Sequence, residues 1–253
     1  MRSNIDVNGI NDLLGPGGGS KLVARNAEAA IKVETGMKGV KIMNLMVSGG
    51  TEAKNIGIHF VGATDNGMLS NIIGINLHTG VKIEQAKNMQ IVNCWVCELP
   101  NSIELIGGEN IVVKNCQLGA QPTGITCKVQ EVNKLSFINN QVYPDGRENL
   151  VLDACNNCVI EGNNFKSYYN GILVLNGNDN TVNKNIFWLT GAVQNQLLDH
   201  GDDFGIINVK GNNNMVASNS LSCEWAYAGA VTVNAVQGTG NVFKNCFVDN
   251  LES

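Results

Sequence analysis

Two glutamates, Glu98 and Glu104, stand on either side of the short turn Leu99-Pro100-Asn101. Two carboxylates held close together can divide acid and base roles, as cleavage of a glycosidic bond requires. Ordinary surface carboxylates are the alternative interpretation of the same pair. The choice depends on whether the fold turns both side chains toward one groove.

Further polar and aromatic residues could contribute to such a site. Asp199, His200, Asp202 and Asp203 form a cluster that is typical either of a solvated loop tip or of a binding rim. Four aromatic residues could offer flat faces to sugar rings, although single aromatics more often serve packing: Tyr168, Tyr169, Trp188 and Trp225.

Metal and cofactor chemistry is not indicated by the sequence. The pairs Cys94/Cys97 and Cys155/Cys158 each resemble half of a zinc site, but they lie too far apart in the chain for a zinc finger or ribbon. The three histidines are scattered, and no Ser, His and Asp order suggests a catalytic triad. We therefore predict neither a metal site nor a cofactor.

Charge and hydropathy also exclude some partners. The net charge of -5 disfavours a nucleic acid, whose binding needs a clustered positive surface. No run approaches the roughly 18 apolar residues of a membrane span, so no membrane partner is predicted. Met1 to Ser20 shows no signal-peptide pattern, and the compartment is left open. An uncharged ligand such as an oligosaccharide fits this chain better.

An internal repeat of 22 to 24 residues organises most of the chain. Each copy reads apolar, two residues, Asn or Cys, one residue, apolar. We predict that the Asn or Cys lies inside at a corner, where stacked Asn amides hydrogen-bond from one copy to the next. The predicted column comprises Asn71, Cys94, Cys116, Asn140, Asn163, Asn185, Asn219 and Asn245.

A second ladder of apolar residues runs in step with the first and lengthens in the same interval, which indicates one insertion at about 188–205. Short strands divided by Gly and Asn turns predict an all-β fold, a parallel β-helix of about nine coils, right-handed by analogy. Residues 1–20 are predicted to be a linker or cap, and 21–253 a single domain. The second ladder comprises Ile31, Ile58, Val81, Ile103, Ile125, Leu150, Ile172, Ile207 and Val231.

The residues one position after this ladder are predicted to face outward. They include a polar patch of Lys82, Glu104 and Thr126, followed by apolar Val151 and Leu173. An exposed apolar column is a liability in solution, so we expect this face to be covered, either by a loop or, as a rod with an apolar outer stripe favours, by other copies of the chain.

Several segments together carry a family resemblance. They are 98–105 (ELPNSIEL), 119–124 (GAQPTG), 143–147 (YPDGR), 155–158 (CNNC), 169–176 (YNGILVLN) and 202–205 (DDFG). In these segments the chain resembles the inulin fructotransferases, glycoside hydrolase family 91, which release a terminal difructose unit of inulin as a cyclic dianhydride. The resemblance implies a right-handed parallel β-helix, a homotrimer with active sites between subunits, and no cofactor.

The resemblance also implies site residues. The family uses an aspartate and, eleven residues later, a glutamate; the glutamate falls on Glu104 and the aspartate position on Asn93. An amide neither gives nor takes a proton at neutral pH. The remaining residues predicted to contact the oligosaccharide are Lys82, Thr126, Arg147, Asp202 and Asp203.

Three interpretations follow from Asn93. The protein is a fructan or dianhydride enzyme in which Glu98 or an insertion aspartate partners Glu104, or a trimeric β-helix that binds carbohydrate without catalysis, or an engineered Asp-to-Asn variant. Asn115 and Asn139 stand at the matching positions of other repeats, which favours an ordinary origin for Asn93.

Overall fold

The computed structural model describes residues 6–8, 21–24, 28–49, 54–169, 171–190, 205–224 and 233–250. Every described element is a β-strand, and all strand pairs are parallel. No helix among these residues is long and apolar enough to cross a membrane. The predicted right-handed parallel β-helix is confirmed.

The strands stack into three faces of the rod, named here in chain order within each turn. The first face consists of β3 (Ala29–Val33), β5 (Ile56–Phe60), the first halves of β7 (Thr79–Val92), β9 (Asn101–Lys114) and β11 (Ile125–Ile138), then β13 (Glu148–Asp153), β16 (Leu173–Asn176), β19 (Ile207–Lys210) and β22 (Val233–Gln237).

The second face consists of β1 (Asp6–Asn8), the first parts of β4 (Lys41–Gly49) and β6 (Met68–Ile75), the second halves of β7, β9 and β11, then β14 (Val159–Glu161), β17 (Thr181–Asn183), β20 (Met215–Ala217) and β23 (Val242–Lys244). The third face consists of β2 (Lys21–Ala24), the ends of β4 and β6, then β8 (Trp95–Leu99), β10 (Gln117–Ala120), β12 (Gln141–Val142), β15 (Asn164–Ser167), β18 (Ile186–Leu189), β21 (Ser220–Cys223) and β24 (Phe247–Asn250).

The interior is a continuous apolar column, because alternate residues of each strand point inward and stack on their counterparts one turn away. Three phenylalanines stack on one another within it. The ring centroids of Phe137 and Phe165 are 6.1 Å apart, and those of Phe165 and Phe187 are 4.9 Å apart, with nearly parallel planes. This stack lies directly behind the outer surface of the third face at β15 and β18.

The predicted Asn and Cys column lies at the buried corner between the second and third faces. The Nδ2 of Asn140 donates to Asn163 Oδ1 at 3.0 Å, and Asn163 and Asn185 continue the same pattern at 2.9 and 3.0 Å. The prediction is one residue off at both ends, since Ile72 is buried and Asn71 exposed, and Asn219 meets Cys246 rather than Asn245.

The residue just before this column has a positive φ in turn after turn. Asn71, Asn93, Asn115 and Asn139 have φ of 53°, 55°, 55° and 53°, and Gly162 follows at 67°. Asparagine adopts this left-handed conformation more readily than other residues that carry a side chain. Asn93 is therefore the residue type that the coil geometry favours at its position.

Two predicted outward positions on the first face are wrong. Cys127, not Ile125, pairs with Ile103, so Lys128 follows Glu104 outward and Thr126 is buried. The turn at 121–124, closed by a 2.8 Å bond from the Gly124 N–H to the Gln121 carbonyl, displaces the strand by two residues.

Likewise, Leu173 pairs with Leu150 and is fully buried, so Val174 takes the outward place beside Val151. Strand β1 lies within the segment predicted as a linker or cap and pairs with β4. Trp188 belongs to β18, and residues 191–204 of the predicted insertion lie outside the described residues. The division into 1–20 and 21–253 stays a prediction.

Candidate functional site

Glu104 lies on the outer surface of the first face, in a row with two lysines. Strand pairing places Lys82 before it and Lys128 after it on neighbouring turns. The Thr79 hydroxyl lies 3.4 Å from Glu104 Oε1 as a donor, and His78 Nδ1 is 3.0 Å from that same hydroxyl. Glu104 thus lies on a polar surface, between two lysines in its row and within reach of one hydroxyl.

The charged residues on the turns before Glu104 already form ion pairs with one another. Lys82 Nζ lies 3.0 Å from Glu84, and Glu84 also lies 3.5 Å from the ring of His59. Burial alone would raise the pKa of Glu84, but Lys82 and His59 hold it below its usual range. His59 occupies an outward position one turn before Lys82, and its side chain is nevertheless buried.

Three other site residues that were named from the sequence and that the structure describes do not join Glu104. Asn93 lies at the corner between the second and third faces, and Glu98 lies on the third face. Arg147 Nε is 3.4 Å from Glu148, whose pKa is raised by burial although Arg147 partly offsets it. Asp202 and Asp203 lie outside the described residues.

Glu98 occupies a β-bulge. In the pairing of β8 with β10, Val96 matches Leu118 and Leu99 matches Ala120, so Cys97 and Glu98 together face the single residue between those partners. Glu98 takes the extra place with a φ of 62° and is exposed. Bulges redirect side chains and occur often beside active sites, and a positive φ is uncommon for glutamate.

A cavity of about 410 Å³ opens beside this bulge. Glu98 and Asp145 both line this cavity, together with aromatic residues. Burial, followed by the negative charges of Glu98 and Asp145, raises the pKa of the Cys97 thiol to about 12. The full lining of this cavity is Trp95, Cys97, Glu98, Gly119, Ala120, Tyr143, Pro144, Asp145 and Tyr168.

A second cavity of about 320 Å³ continues along the third face and shares Tyr143, Pro144 and Tyr168 with the first. Lys166 Nζ lies 4.7 Å from the centre of the Trp188 ring, within cation–π range. We call the two cavities together the third-face groove. Its remaining lining residues are Gln141, Val142 and Thr190.

Backbone hydrogen bonds anchor the wall of the groove to the neighbouring turns. The Tyr143 N–H donates to the Leu118 carbonyl at 2.8 Å, and the Arg147 N–H donates to the Gly124 carbonyl at 2.7 Å, so both ends of the 143–147 loop are anchored. A Cβ on Gly119 would lie 3.0 Å from the Cβ of Tyr143. Glycine at this point therefore lets the tyrosine approach the bulge.

The sequence predicted part of this groove. Tyr168 and Trp188 do line it, whereas Tyr169 is buried. Asp145 was not singled out as a site residue, although it stands within one of the segments that carry the resemblance. The bulge itself leaves no signal in a single sequence, because it is defined only by the pairing of two strands.

The first face has a cavity of its own, of about 290 Å³, two turns beyond Glu104. Its floor carries the outward valines Val151 and Val174, which confirms an apolar stretch on this face. Polar side chains flank it, and Asn176 Nδ2 donates to Asp153 Oδ1 at 2.6 Å.

These features define a class: a right-handed parallel β-helix protein with a groove lined by aromatic rings and carboxylates on one face. The chain belongs to the NosD family, described as periplasmic copper-binding protein, whose model matches residues 22–187 and 96–253. None of the curated proteins matches the chain significantly.

Solved structures that the chain resembles include DFA-IIIase from Arthrobacter chlorophenolicus A6 in complex with GF2, with a TM-score of 0.82 and 21% identity over 99% of this chain and 71% of that one. A mutant of that enzyme in complex with DFA-III has a TM-score of 0.79 and 22% identity, over 99% of this chain and 72% of the mutant's chain. The form of the enzyme without its lid has a TM-score of 0.83 and 19% identity, over 99% of this chain and 76% of that one. The resemblance stated from the sequence is thus confirmed at the level of the fold.

Proposed function

We propose that the protein is a fructan-processing enzyme of the inulin fructotransferase type that binds its oligosaccharide in the third-face groove. The observation that carries the proposal is the combination of carboxylates with Tyr143, Tyr168 and Trp188 in one groove. Aromatic rings pack against the apolar faces of sugars, and carboxylates exchange protons at the glycosidic bond. The fold shared with DFA-IIIase bound to GF2 and DFA-III supports the substrate class.

In this reaction a hydroxyl of the terminal fructose attacks the anomeric carbon of its neighbour while the bond to the rest of the chain breaks. An acid protonates the departing oxygen, and a base accepts the proton of the attacking hydroxyl. Glu98 is our leading catalytic residue because it is exposed in the groove on a bulge. Glu104 remains the candidate implied by the resemblance, on another face, and Lys82 would bind sugar beside it.

The experiment separates these two candidates. The wild type, Glu98→Gln and Glu104→Gln are incubated with inulin, levan and difructose dianhydrides, and the products are separated by chromatography. Loss of the true acid or base should cost about 10² to 10⁴ in rate. The matched control is Glu131→Gln, an exposed corner residue whose place is taken by Gln85 two turns earlier. Equal activity of all three variants and the wild type would exclude both glutamates.

A second candidate function is carbohydrate binding without turnover, by a trimeric β-helix. Asn93 favours it, because the residue implied to be a catalytic aspartate is an asparagine in a left-handed corner that suits asparagine. Calorimetric binding of an oligosaccharide without any product would support this function, and turnover of any fructan would exclude it.

Copper binding, which the family's description suggests, does not fit the residues of this chain that the structure describes. Among them no group of three or more His, Cys, Asp or Glu side chains converges as metal ligands. The cysteines that lie close to one another, such as Cys155 and Cys158, are buried in the apolar interior. We therefore derive no step through copper.

A further inference from the structure

We propose that Asp145 is the second catalytic carboxylate and works with Glu98 across the third-face groove. The inference rests on the proposed function and names a residue for the role that Asn93 cannot fill. Asp145 is distant from Glu98 in sequence, but both line the same cavity. Cys97 lines the cavity with them, and the negative charges of both carboxylates help to raise the pKa of its thiol.

The position of Asp145 is fixed by the loop that carries it. The anchors at Tyr143 and Arg147 hold the loop at both ends. Between them, Gly146 is buried, and a Cβ there would come 2.4 Å from the Thr126 hydroxyl. The backbone next to Asp145 is thus pressed against the rod, while the aspartate itself is exposed to the groove.

Both carboxylates are available to a substrate. No ion pair links Glu98 or Asp145 to a Lys, Arg or His within the part of the chain that the structure describes. Glu104 forms no ion pair among these residues either, but strand pairing places a lysine on each side of it in its row. An acid and a base that act on one glycosidic bond must reach it from the same groove, which Glu98 and Asp145 satisfy within one chain.

The step balances without any co-reactant. The attacking hydroxyl oxygen forms a bond to the anomeric carbon, and the glycosidic oxygen leaves with its electron pair. One carboxylate takes the hydroxyl proton, and the other, protonated beforehand, gives its proton to the departing oxygen. No water is consumed and nothing is oxidised, so two carboxylates are sufficient to move both protons.

The test compares Asp145→Asn, Glu98→Gln and the double variant with the wild type, by product chromatography over a range of pH and by calorimetric binding of DFA-III. We expect each single variant to lose about 10² to 10⁴ in kcat while still binding DFA-III. The double variant should be little worse than the poorer single one, because residues that act as a unit are not additive. Each single variant should also lose one limb of the pH–rate profile.

The matched control is Asp179→Asn, an exposed left-handed corner residue whose place is taken by Asn213 in the next turn. It should keep wild-type activity. Circular dichroism establishes folding, and Asp145→Glu should recover part of the activity if the carboxylate matters. An Asp145→Asn enzyme within about threefold of wild type would overturn the assignment of Asp145 alone. A wild type inactive on every fructan would instead overturn the proposed function, and the assignment with it.

Discussion

Removing the side chain of Asn163 should destabilise the fold strongly. Asn163 is buried, and its Nδ2 donates to the Phe137 carbonyl at 2.8 Å and to Asn185 Oδ1 at 2.9 Å. Its Oδ1 accepts from the Asn140 N–H at 2.8 Å and from Asn140 Nδ2 at 3.0 Å. At about 1 kcal/mol for each hydrogen bond, Asn163→Ala should cost about 4 kcal/mol.

The sequence offers a milder replacement at the same position. Cys116 occupies this column and accepts the Cys94 N–H at 3.5 Å, while its thiol lies 3.3 Å from the Lys114 carbonyl. Asn163→Cys should therefore lower the free energy of unfolding by roughly half as much as Asn163→Ala, because a thiol makes fewer and weaker hydrogen bonds than an amide.

Guanidinium unfolding followed by far-ultraviolet circular dichroism measures these losses. Asn139→Gly is the matched control: Asn139 is an exposed left-handed residue, and Gly162 occupies its place in the next turn. It should change the free energy of unfolding by less than about 1 kcal/mol. The reasoning is wrong if Asn163→Ala is as stable as this control, or if Asn163→Cys is less stable than Asn163→Ala.

Three further outcomes are expected. Trp188→Ala should weaken calorimetric oligosaccharide binding about tenfold without changing folding, since it removes one aromatic wall of the groove; unchanged affinity would exclude this wall. Glu148→Gln should raise the melting temperature at pH 7 but not at pH 4, because a carboxyl with a raised pKa stabilises the fold only below its unfolded pKa; a gain at both pH values would contradict this. Light scattering should give a trimer that Val151→Lys or Val174→Lys dissociates, whereas a wild-type monomer would refute assembly through this face.

The central turns could be predicted because their Asn and Cys residues recur at near-constant spacing. At the two ends the same reasoning chose Asn71 and Asn245, which are left-handed corner residues, one position before the buried Ile72 and the partly buried Cys246. Asparagine suits the buried column because its amide hydrogen-bonds to the neighbouring turn, and it suits the corner because it tolerates a positive φ. Composition alone does not separate these roles when the buried residue is not itself Asn.

The site could be predicted only in part, for a different physical reason. Outward positions depend on strand register, and one changed turn moves a residue from the surface to the interior, as it does for Thr126. The aromatic walls were visible as residue types. The neighbourhood of Glu98 and Asp145 was not, because it arises from the stacking of turns and from one inserted bulge residue.

Asn93 provides the sharpest comparison between resemblance and structure. If the resemblance is followed, Asn93→Asp should restore a missing proton carrier and raise turnover. The structure places Asn93 at an exposed left-handed corner and outside the set of groove-lining residues. We therefore expect Asn93→Asp to change kcat by less than about threefold on any fructan that the wild type turns over. A tenfold gain would show that proton transfer occurs at this corner, and it would move the catalytic centre away from Glu98 and Asp145.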